Sequence, residues 1–253
     1  MVDTKTSGGV QSVERAFFLL ELLADNGDLS LTELTNSIEL PAPTTHRLLK
    51  TLVSLGYVRQ LPNRRYGLGL GLVRMAGRVD TQFGPVAKPH LELLARETGE
   101  SANLAVLESD MVVYIAQAPS RHAMRMFTEV GHRAYAHSTG VGKAILAQLP
   151  DRQVDQIVGR AGMPAATDKT IVDSAKLHTE LARVRRQGYA MDNGEQENGV
   201  SCYAVPVPEV PISMAISISG PAFRITKELG RRAVPLLQEE AAKLAAELVG
   251  PSA

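Results

Sequence analysis

A run of basic side chains with no acidic residue among them, between residues 41 and 79, is the strongest chemical signal in the sequence. Its members are Arg47, Lys50, Arg59, Arg64, Arg65, Arg74 and Arg78. The whole chain has 27 Lys and Arg against 27 Asp and Glu, so its formal net charge is zero. A positive block in a neutral chain indicates one local surface for a polyanion such as DNA, rather than nonspecific attraction.

A second group of polar residues has the types needed to bind a small molecule. Residues 138–142 (STGVG) precede a predicted helix, and open backbone N–H groups at a helix N-terminus favour an anion. Ser217 and Ser219 alternate along a predicted strand, so both hydroxyl groups face the same side of the sheet. Asp192 and Cys202 flank a stretch rich in turn-forming residues, and the Asp192 carboxylate would accept a hydrogen bond from a hydroxyl, amide or amine.

Three predicted helices and a hairpin position the basic residues. The spacing of apolar residues indicates a first helix over about 12–25. Ser30 and Glu33 form a capping box that begins a short second helix. A third helix begins at Pro43, whose fixed φ suits the first helical position, and it ends before Gly56.

The third helix and the hairpin together predict a DNA-binding surface. The segments 57–59 and 66–68 can pair as strands, and the helix separates an apolar stripe from a polar side that suits the major groove. This arrangement is typical of a winged helix-turn-helix domain. The alternative is an ordinary amphipathic helix with a solvated basic face. The predicted DNA contacts are Thr44, Thr45, His46, Arg47 and Lys50 on the helix, and Arg64 and Arg65 at the hairpin tip.

The second half mixes helices and strands in an order typical of an α+β domain with a mainly antiparallel sheet. Predicted helices cover 85–98, 140–149, 174–187 and the end of the chain, and predicted strands cover 102–108, 111–117, 122–130, 202–207 and 212–220. We therefore expect a flexible tail at 1–9, a winged helix-turn-helix domain at 10–69, a linker helix at 70–84 and a second domain at 85–253.

Several segments together resemble the IclR family of bacterial transcriptional regulators over about residues 10–250. They include GGVQSVERAFFLLELL, LPAPTTHRLLKTLVSLGYV and YGLGLGLVRMA in the first half, and HSTGVGKAILAQLP, LARVRRQGYAMDNGEQENGVSCYAVPV and AISISGP in the second. GGVQSVERAF, MRMFTEVG and STGVGKA are most similar to members that control allantoin or glyoxylate metabolism. The family often has a serine at the position of Pro43, so the contacts there are expected to shift to Thr44 and Thr45.

The resemblance implies a fold and a function. Family members join a winged helix-turn-helix domain through a helix to an effector-binding domain of GAF-like α/β fold, and they form dimers and often tetramers. We therefore expect a repressor that binds pseudo-palindromic double-stranded operator DNA as a homodimer or a dimer of dimers, controlled by a small carboxylate or ureide- or amide-type metabolite. Known effectors of the family include glyoxylate, pyruvate and aromatic acids. The resemblance implies an effector pocket lined by Gly140, Val141, Asp192, Cys202, Ser217 and Ser219.

Two other classes of function follow from the residues alone. Cys202 with one of the histidines at 122, 132 and 137 would make the nucleophile and base of an enzyme, although no local motif supports the pair. The other alternative is an architectural DNA-binding protein without a sensor domain. The second half of the chain is too large for a spacer, and its pattern of helices and strands is too regular. Lys143 lacks the spacing of a phosphate-binding loop and is interpreted as a surface or helix-capping lysine.

The composition limits the class of the protein and its expected location in the cell. The hydrophobic fraction of 44% and the charged fraction of 21% are ordinary for a globular protein. A single cysteine excludes an intrachain disulfide, and no segment has the features of a signal peptide or the roughly 18 apolar residues of a membrane span, so we expect a cytoplasmic protein without membrane contact. The histidines lack metal-ligand spacing, and neither a metal nor a cofactor is expected.

Overall fold

The computed structural model describes residues 10–79, 83–126 and 128–249, with the side chains of 76–79 excepted. The chain divides at residue 79 into two compact units, each with its own hydrophobic core. The predicted tail at 1–9 and residues 80–82 of the predicted linker lie outside the described residues. Among the residues that are described, no helix is long and apolar enough to cross a bilayer.

The first unit packs three helices and a hairpin around a small core. Its elements are α1 (Gln11–Asn26), α2 (Leu31–Ile38), α3 (Ala42–Ser54), β1 (Val58–Gln60), β2 (Tyr66–Leu68) and α4 (Gly71–Val79). Leu19, Leu34 and Leu49, one from each of the first three helices, are buried together. Val58 and Tyr66 add the antiparallel hairpin to the same core. The predicted helix-turn-helix with its hairpin is therefore confirmed.

Local signals in the sequence determine where these helices begin and end. The Ser30 hydroxyl accepts from the N–H of Glu33, and the Glu33 carboxylate accepts from the N–H of Ser30, which completes the predicted capping box. Helix α3 begins at Ala42, one residue before the predicted start, so Pro43 lies in its first turn, where no intrahelical N–H bond is lost. Gly56 follows α3 with a φ of 79°, a left-handed conformation that suits glycine.

The second unit is built on one antiparallel sheet. Its elements are α5 (Gly84–Thr98), β3 (Ser101–Glu108), β4 (Met111–Ala118), β5 (Arg133–Tyr135), α6 (Gly140–Leu146), α7 (Asp151–Ala161), α8 (Ser174–Gln187), β6 (Ala190–Asn193), β7 (Val200–Pro206), β8 (Met214–Pro221) and α9 (Lys227–Val249). The strand order is β5-β4-β3-β8-β7-β6, and each neighbouring pair is antiparallel. The predicted α+β class is confirmed.

Helices cover both faces of this sheet. Side chains such as Leu104 and Ile216 face α5 and α9 in one core. Ala105, Ala204 and Ala215 face the other way, toward α6, α7 and α8, because successive strand residues point to opposite faces. Small side chains on this second face leave room for α6 to lie close to the strands.

The structure differs from the predicted elements in several places. The described residues of the predicted strand at 122–130 form no strand. The carbonyl groups of Met124 and Met126 accept hydrogen bonds from the side chains of Arg224 and Ser101, so side chains satisfy backbone groups that a strand would pair. Helix α6 ends three residues before the predicted 149. Helix α7 was not predicted. The edge strands β5 and β6 were not predicted either, because they carry too few residues to show a period.

Candidate functional site

The exposed side of α3 carries available positive charge. His46, Arg47 and Lys50 are exposed on this helix, while Leu49 and Leu52 are buried in the core of the first unit. Within the part of the chain that the structure describes, neither Arg47 nor Lys50 forms an ion pair. Both charges are therefore available to a phosphate or a base edge.

Thr45 lies on the buried side of the same helix. Its side chain is 0% exposed, and its hydroxyl donates to the carbonyl of Pro41 at 3.4 Å. The prediction that Thr45 contacts DNA is therefore wrong, because the residue belongs to the core stripe. Its spacing of four and seven residues from Leu49 and Leu52 places it on their face of the helix. Thr44, beside it, is half-buried.

The two arginines at the hairpin tip have different surroundings. Arg64 is exposed at a left-handed φ of 63°. Arg65 donates through Nε and Nη2 to the carbonyl of Asp28, at 3.0 and 2.8 Å, and its Nη2 lies 3.0 Å from the Glu33 carboxylate. Hydrogen bonds from Ser30, together with Arg65, hold the pKa of Glu33 below its ordinary value. Arg65 thus ties the hairpin to the start of α2, and Arg64 is the arginine that remains available at the tip.

In the second unit, polar side chains form a row across four strands. Asp192, Cys202, Ser219 and Ser101 lie opposite one another on β6, β7, β8 and β3. Directly opposed residues point to the same face, and this is the face that α6 covers. The row therefore brings together three of the six predicted effector-binding residues, although they are spread over 28 positions of the sequence from 192 to 219.

A second polar row follows on the same face. Ser217 lies opposite Asn103, which lies opposite Gln117. The Asn103 amide donates to the hydroxyl oxygens of Ser219 at 3.0 Å and Ser217 at 3.4 Å, and Gln117 donates to the Asn103 carbonyl oxygen at 3.0 Å. Asn103 and Gln117 were not predicted as site residues, although polar side chains on otherwise apolar strands were an available signal.

Helix α6 begins directly against this polar face. A Cβ atom at Gly140 would lie 2.3 Å from Cys202 Sγ, so a larger residue would push the helix from the sheet. Thr139 caps the helix by accepting from the N–H of Gly142 at 3.1 Å. The Val141 side chain is buried in the core between α6 and the sheet, so any contact of Val141 with a ligand would come from its backbone.

Lys143 is buried, and the interpretation as a surface lysine is wrong. Its side chain is 0% exposed, and its ammonium forms an ion pair with the carboxylate of Glu195. Glu195 also donates its backbone N–H to Asp192 Oδ1 at 2.7 Å. A buried lysine needs a partner to offset its lost hydration, and the partner is distant in sequence, so local pattern gave no sign of it.

Burial controls the protonation of the two acids. Desolvation raises the pKa of Asp192, opposed by backbone N–H groups of its own loop and by the Lys143 charge. Desolvation also raises the pKa of Glu195, again opposed by Lys143. The Oε2 atom of Glu195 is buried and has no hydrogen-bond partner in the described structure. The site thus holds two carboxyl groups for which ionisation is costly.

The cysteine of the row is a poor nucleophile in this setting. Burial, together with the neighbouring Asp192 carboxylate, raises the pKa of the Cys202 thiol to about 12. Burial, with Cys202 and Asp192 nearby, also raises the pKa of the Tyr114 hydroxyl. Because the thiolate is the reactive form of cysteine, neutral pH leaves Cys202 as a small buried thiol.

The arrangement suits reversible binding of a small polar molecule. It offers serine hydroxyls, the Asp192 carboxyl group and the N-terminus of α6 at one place on the sheet. No group of three or more His, Cys, Asp or Glu side chains in the described ranges is placed to hold a metal ion.

Each of the two units matches a protein-family model. Residues 12–62 match the IclR helix-turn-helix domain, and residues 80–246 match the C-terminal domain of the bacterial transcriptional regulator IclR. The chain is 38% identical over 231 residues to the transcriptional repressor IclR of Escherichia coli K12, covering 88% of this chain and 84% of that protein. It is 34% identical to the transcriptional repressor AllR of Salmonella typhi, covering 87% and 83%.

Solved structures share the fold. The IclR protein of Thermotoga maritima superposes with a TM-score of 0.77 at 27% identity, covering 94% of this chain and 98% of that one. An IclR-type transcriptional regulator of Alicyclobacillus acidocaldarius gives 0.79 at 31% identity, covering 94% and 98%. An IclR homologue of Microbacterium hydrocarbonoxydans, crystallised with 4-hydroxybenzoate, gives 0.80 at 24% identity, covering 95% and 100%, which shows a common fold.

Proposed function

The chain belongs to the IclR family of bacterial transcriptional regulators, and on that premise we propose that it is a repressor whose operator binding responds to a small metabolite. Membership makes it a DNA-binding transcriptional regulator, and several relatives are named repressors. We assign DNA binding to residues 10–69, transmission to the linker segment 70–84, which contains α4, and effector binding to residues 85–253. Because its target is DNA, we place its action in the cytoplasm.

The DNA contacts in this proposal come from α3 and the hairpin tip. Arg47 is the base-reading residue, since a guanidinium can fork onto guanine in the major groove. Thr44, His46, Lys50 and Arg64 supply phosphate or groove contacts around it. A homodimer, or each dimer of a tetramer, would place two recognition helices about 34 Å apart, which fits a pseudo-palindromic operator.

The observation that carries the effector proposal is the pair of buried polar rows at the start of α6. A ligand carboxylate would accept hydrogen bonds from the backbone of Gly140 and Val141 and from the hydroxyls of Ser217 and Ser219. A hydroxyl, ureide or amide N–H would donate to Asp192. Cys202 forms the floor of the site. The ligand class is therefore a small carboxylate or a ureide- or amide-type metabolite.

An enzymatic role has less support. It would require Cys202 as a nucleophile, and burial raises the pKa of that thiol to about 12. We therefore propose that ligand binding at this site regulates DNA binding without turnover.

The direct test compares DNA binding with and without ligand. Duplexes bound by the protein are selected from a random pool, and gel shifts are measured against a panel of small acids, ureides and amides. The Asp192→Ala variant is expected to bind the selected DNA in the gel shift but to lose the response to ligand, because the carboxylate that accepts a hydrogen bond from the ligand is gone.

The matched control is Asp168→Ala, which removes an exposed aspartate of the same unit and should keep the response. A full response in Asp192→Ala would contradict the assignment of the site.

A further inference from the structure

A buried cluster of one cation and two acids lies at the candidate effector site. Lys143 is 0% exposed, and the side chain of Glu195 that pairs with it is 11% exposed. Asp192 is 4% exposed and accepts the backbone N–H of Glu195 at 2.7 Å. With both acids ionised, this cluster carries a net charge of minus one inside the protein.

The other charged groups around the cluster have partners elsewhere. Lys169 lies beside the same loop, and its ammonium donates to the backbone carbonyl of Asn193 at 3.1 Å. Cys202 on β7 and Tyr114 on β4 are neutral at ordinary pH, since burial raises the pKa of both. Toward Glu195, α8 presents Glu180, which is already paired with Arg183. Burial, with the Lys143 charge nearby, lowers the pKa of His137 and so disfavours its charged form. Within the described residues, Lys143 is therefore the cation that pairs directly with a carboxyl group of this cluster.

A ligand carboxylate would bring the net charge of the cluster to minus two, with three carboxylates beside one ammonium. Neighbouring like charges in a poorly solvated site disfavour one another's ionised forms, and this favours a proton on one of the acids. The buried Oε2 atom of Glu195, which lacks a hydrogen-bond partner in the described structure, is one place where such a proton would be accommodated.

We propose that this cluster binds an anionic ligand together with a proton: one proton resides on either Asp192 or Glu195 beside Lys143, and a ligand carboxylate binds only while that proton is present. The inference rests on the proposed function, since it concerns the same site. In this proposal, Lys143 and Glu195 determine which ligand charge the site can bind. The regulator's response would then weaken as the pH rises.

The first measurement needs no ligand. Infrared spectra of the full-length protein record the C=O stretch of protonated carboxyl groups as the pH rises from 4 to 8. Ordinary Asp and Glu side chains are ionised above about pH 5. The wild-type protein should retain a protonated carboxyl above that pH, and Asp192→Asn and Glu195→Gln should each lose it. Two variants are used because one substitution could prevent folding.

The second measurement compares acids with their neutral amides. Isothermal titration calorimetry is run with glyoxylate, pyruvate and 4-hydroxybenzoate, and with pyruvamide and 4-hydroxybenzamide, in buffers of different ionisation enthalpy. The Kd of a bound acid should rise about tenfold for each pH unit above the pKa of the pair, with uptake or retention of one proton. The Kd of a bound amide should not change with pH, and Glu195→Gln should flatten the profile of the acid.

The outcomes separate this inference from the proposed function. If the protonated carboxyl disappears by pH 5 in the wild-type protein, or if an acid binds equally well from pH 5 to 8, the proton linkage is overturned while ligand control of DNA binding stands. If the carboxyl titrates as expected but no member of the panel binds or changes the gel shift, the retained proton on Asp192 or Glu195 stands and the proposed ligand class fails.

Discussion

Arg47 is the residue on which sequence-specific DNA binding should depend most. It is exposed on α3 and has no ion pair within the described residues, so it can meet a base without breaking an internal contact. Arg47→Ala is expected to lower specific affinity by about 1–3 kcal/mol, measured by gel shift on the selected operator. Equal losses on unrelated DNA would instead make it a phosphate contact. Lys50→Ala is the comparison variant, and it is expected to weaken binding to the selected operator and to unrelated DNA by the same factor.

The two hairpin arginines should behave differently when each is replaced by glutamine. Arg64→Gln should reduce the slope of log affinity against log salt by about one unit, because a single free cation is removed. Arg65→Gln should change that slope little and lower the melting temperature of the first unit, because Arg65 is engaged with Asp28 and Glu33. An equal loss of slope in both variants would mean that Arg65 leaves these partners for DNA.

Residue type and local spacing predicted some of these sites, and the exceptions have a common cause. The exposed positions of α3 followed from its apolar stripe, and the same stripe would have assigned Thr45 to the core. Lys143 could not be placed, because its partner Glu195 lies 52 residues away and only the folded sheet brings them together. Asn103 was missed because its role depends on strands β4 and β8 on either side of it.

At the scale of elements, the contact of α6 with the sheet can be tested through glycine. Gly140→Ala would place a Cβ atom 2.3 Å from Cys202 Sγ, and the buried thiol cannot move aside without disturbing the sheet. We expect a loss of about 1–3 kcal/mol in the unfolding free energy, typical of overpacking, and weaker ligand binding. Gly159→Ala in α7 meets no atom within 4 Å and should be neutral or stabilising by up to about 1 kcal/mol. Equal stability of the two variants would contradict the close contact.

Elements with strong local signals were predictable, and elements made by tertiary context were not. The capping box of α2 and the glycine after α3 fixed the helices of the first unit, because each signal satisfies backbone groups within a few residues. The segment 122–130 alternates like a strand, yet the side chains of Arg224 and Ser101 donate to the carbonyl groups of Met124 and Met126. Arg224 is itself held by Glu100, which is distant in sequence.

At the scale of the whole molecule, the two units should respond separately to a ligand. A ligand at 100 times its Kd stabilises the unit that binds it by about 2.7 kcal/mol. For a domain of this size, each kcal/mol raises the melting temperature by about 2–4 °C, so the expected shift is roughly 5–11 °C. Differential scanning calorimetry of the full chain should show this shift in the transition of the second unit and little change in that of the first. Asp192→Ala should abolish this shift in melting temperature. If the full chain instead shows a single transition that moves as a whole, the two units unfold cooperatively, and ligand binding stabilises the DNA-binding unit as well.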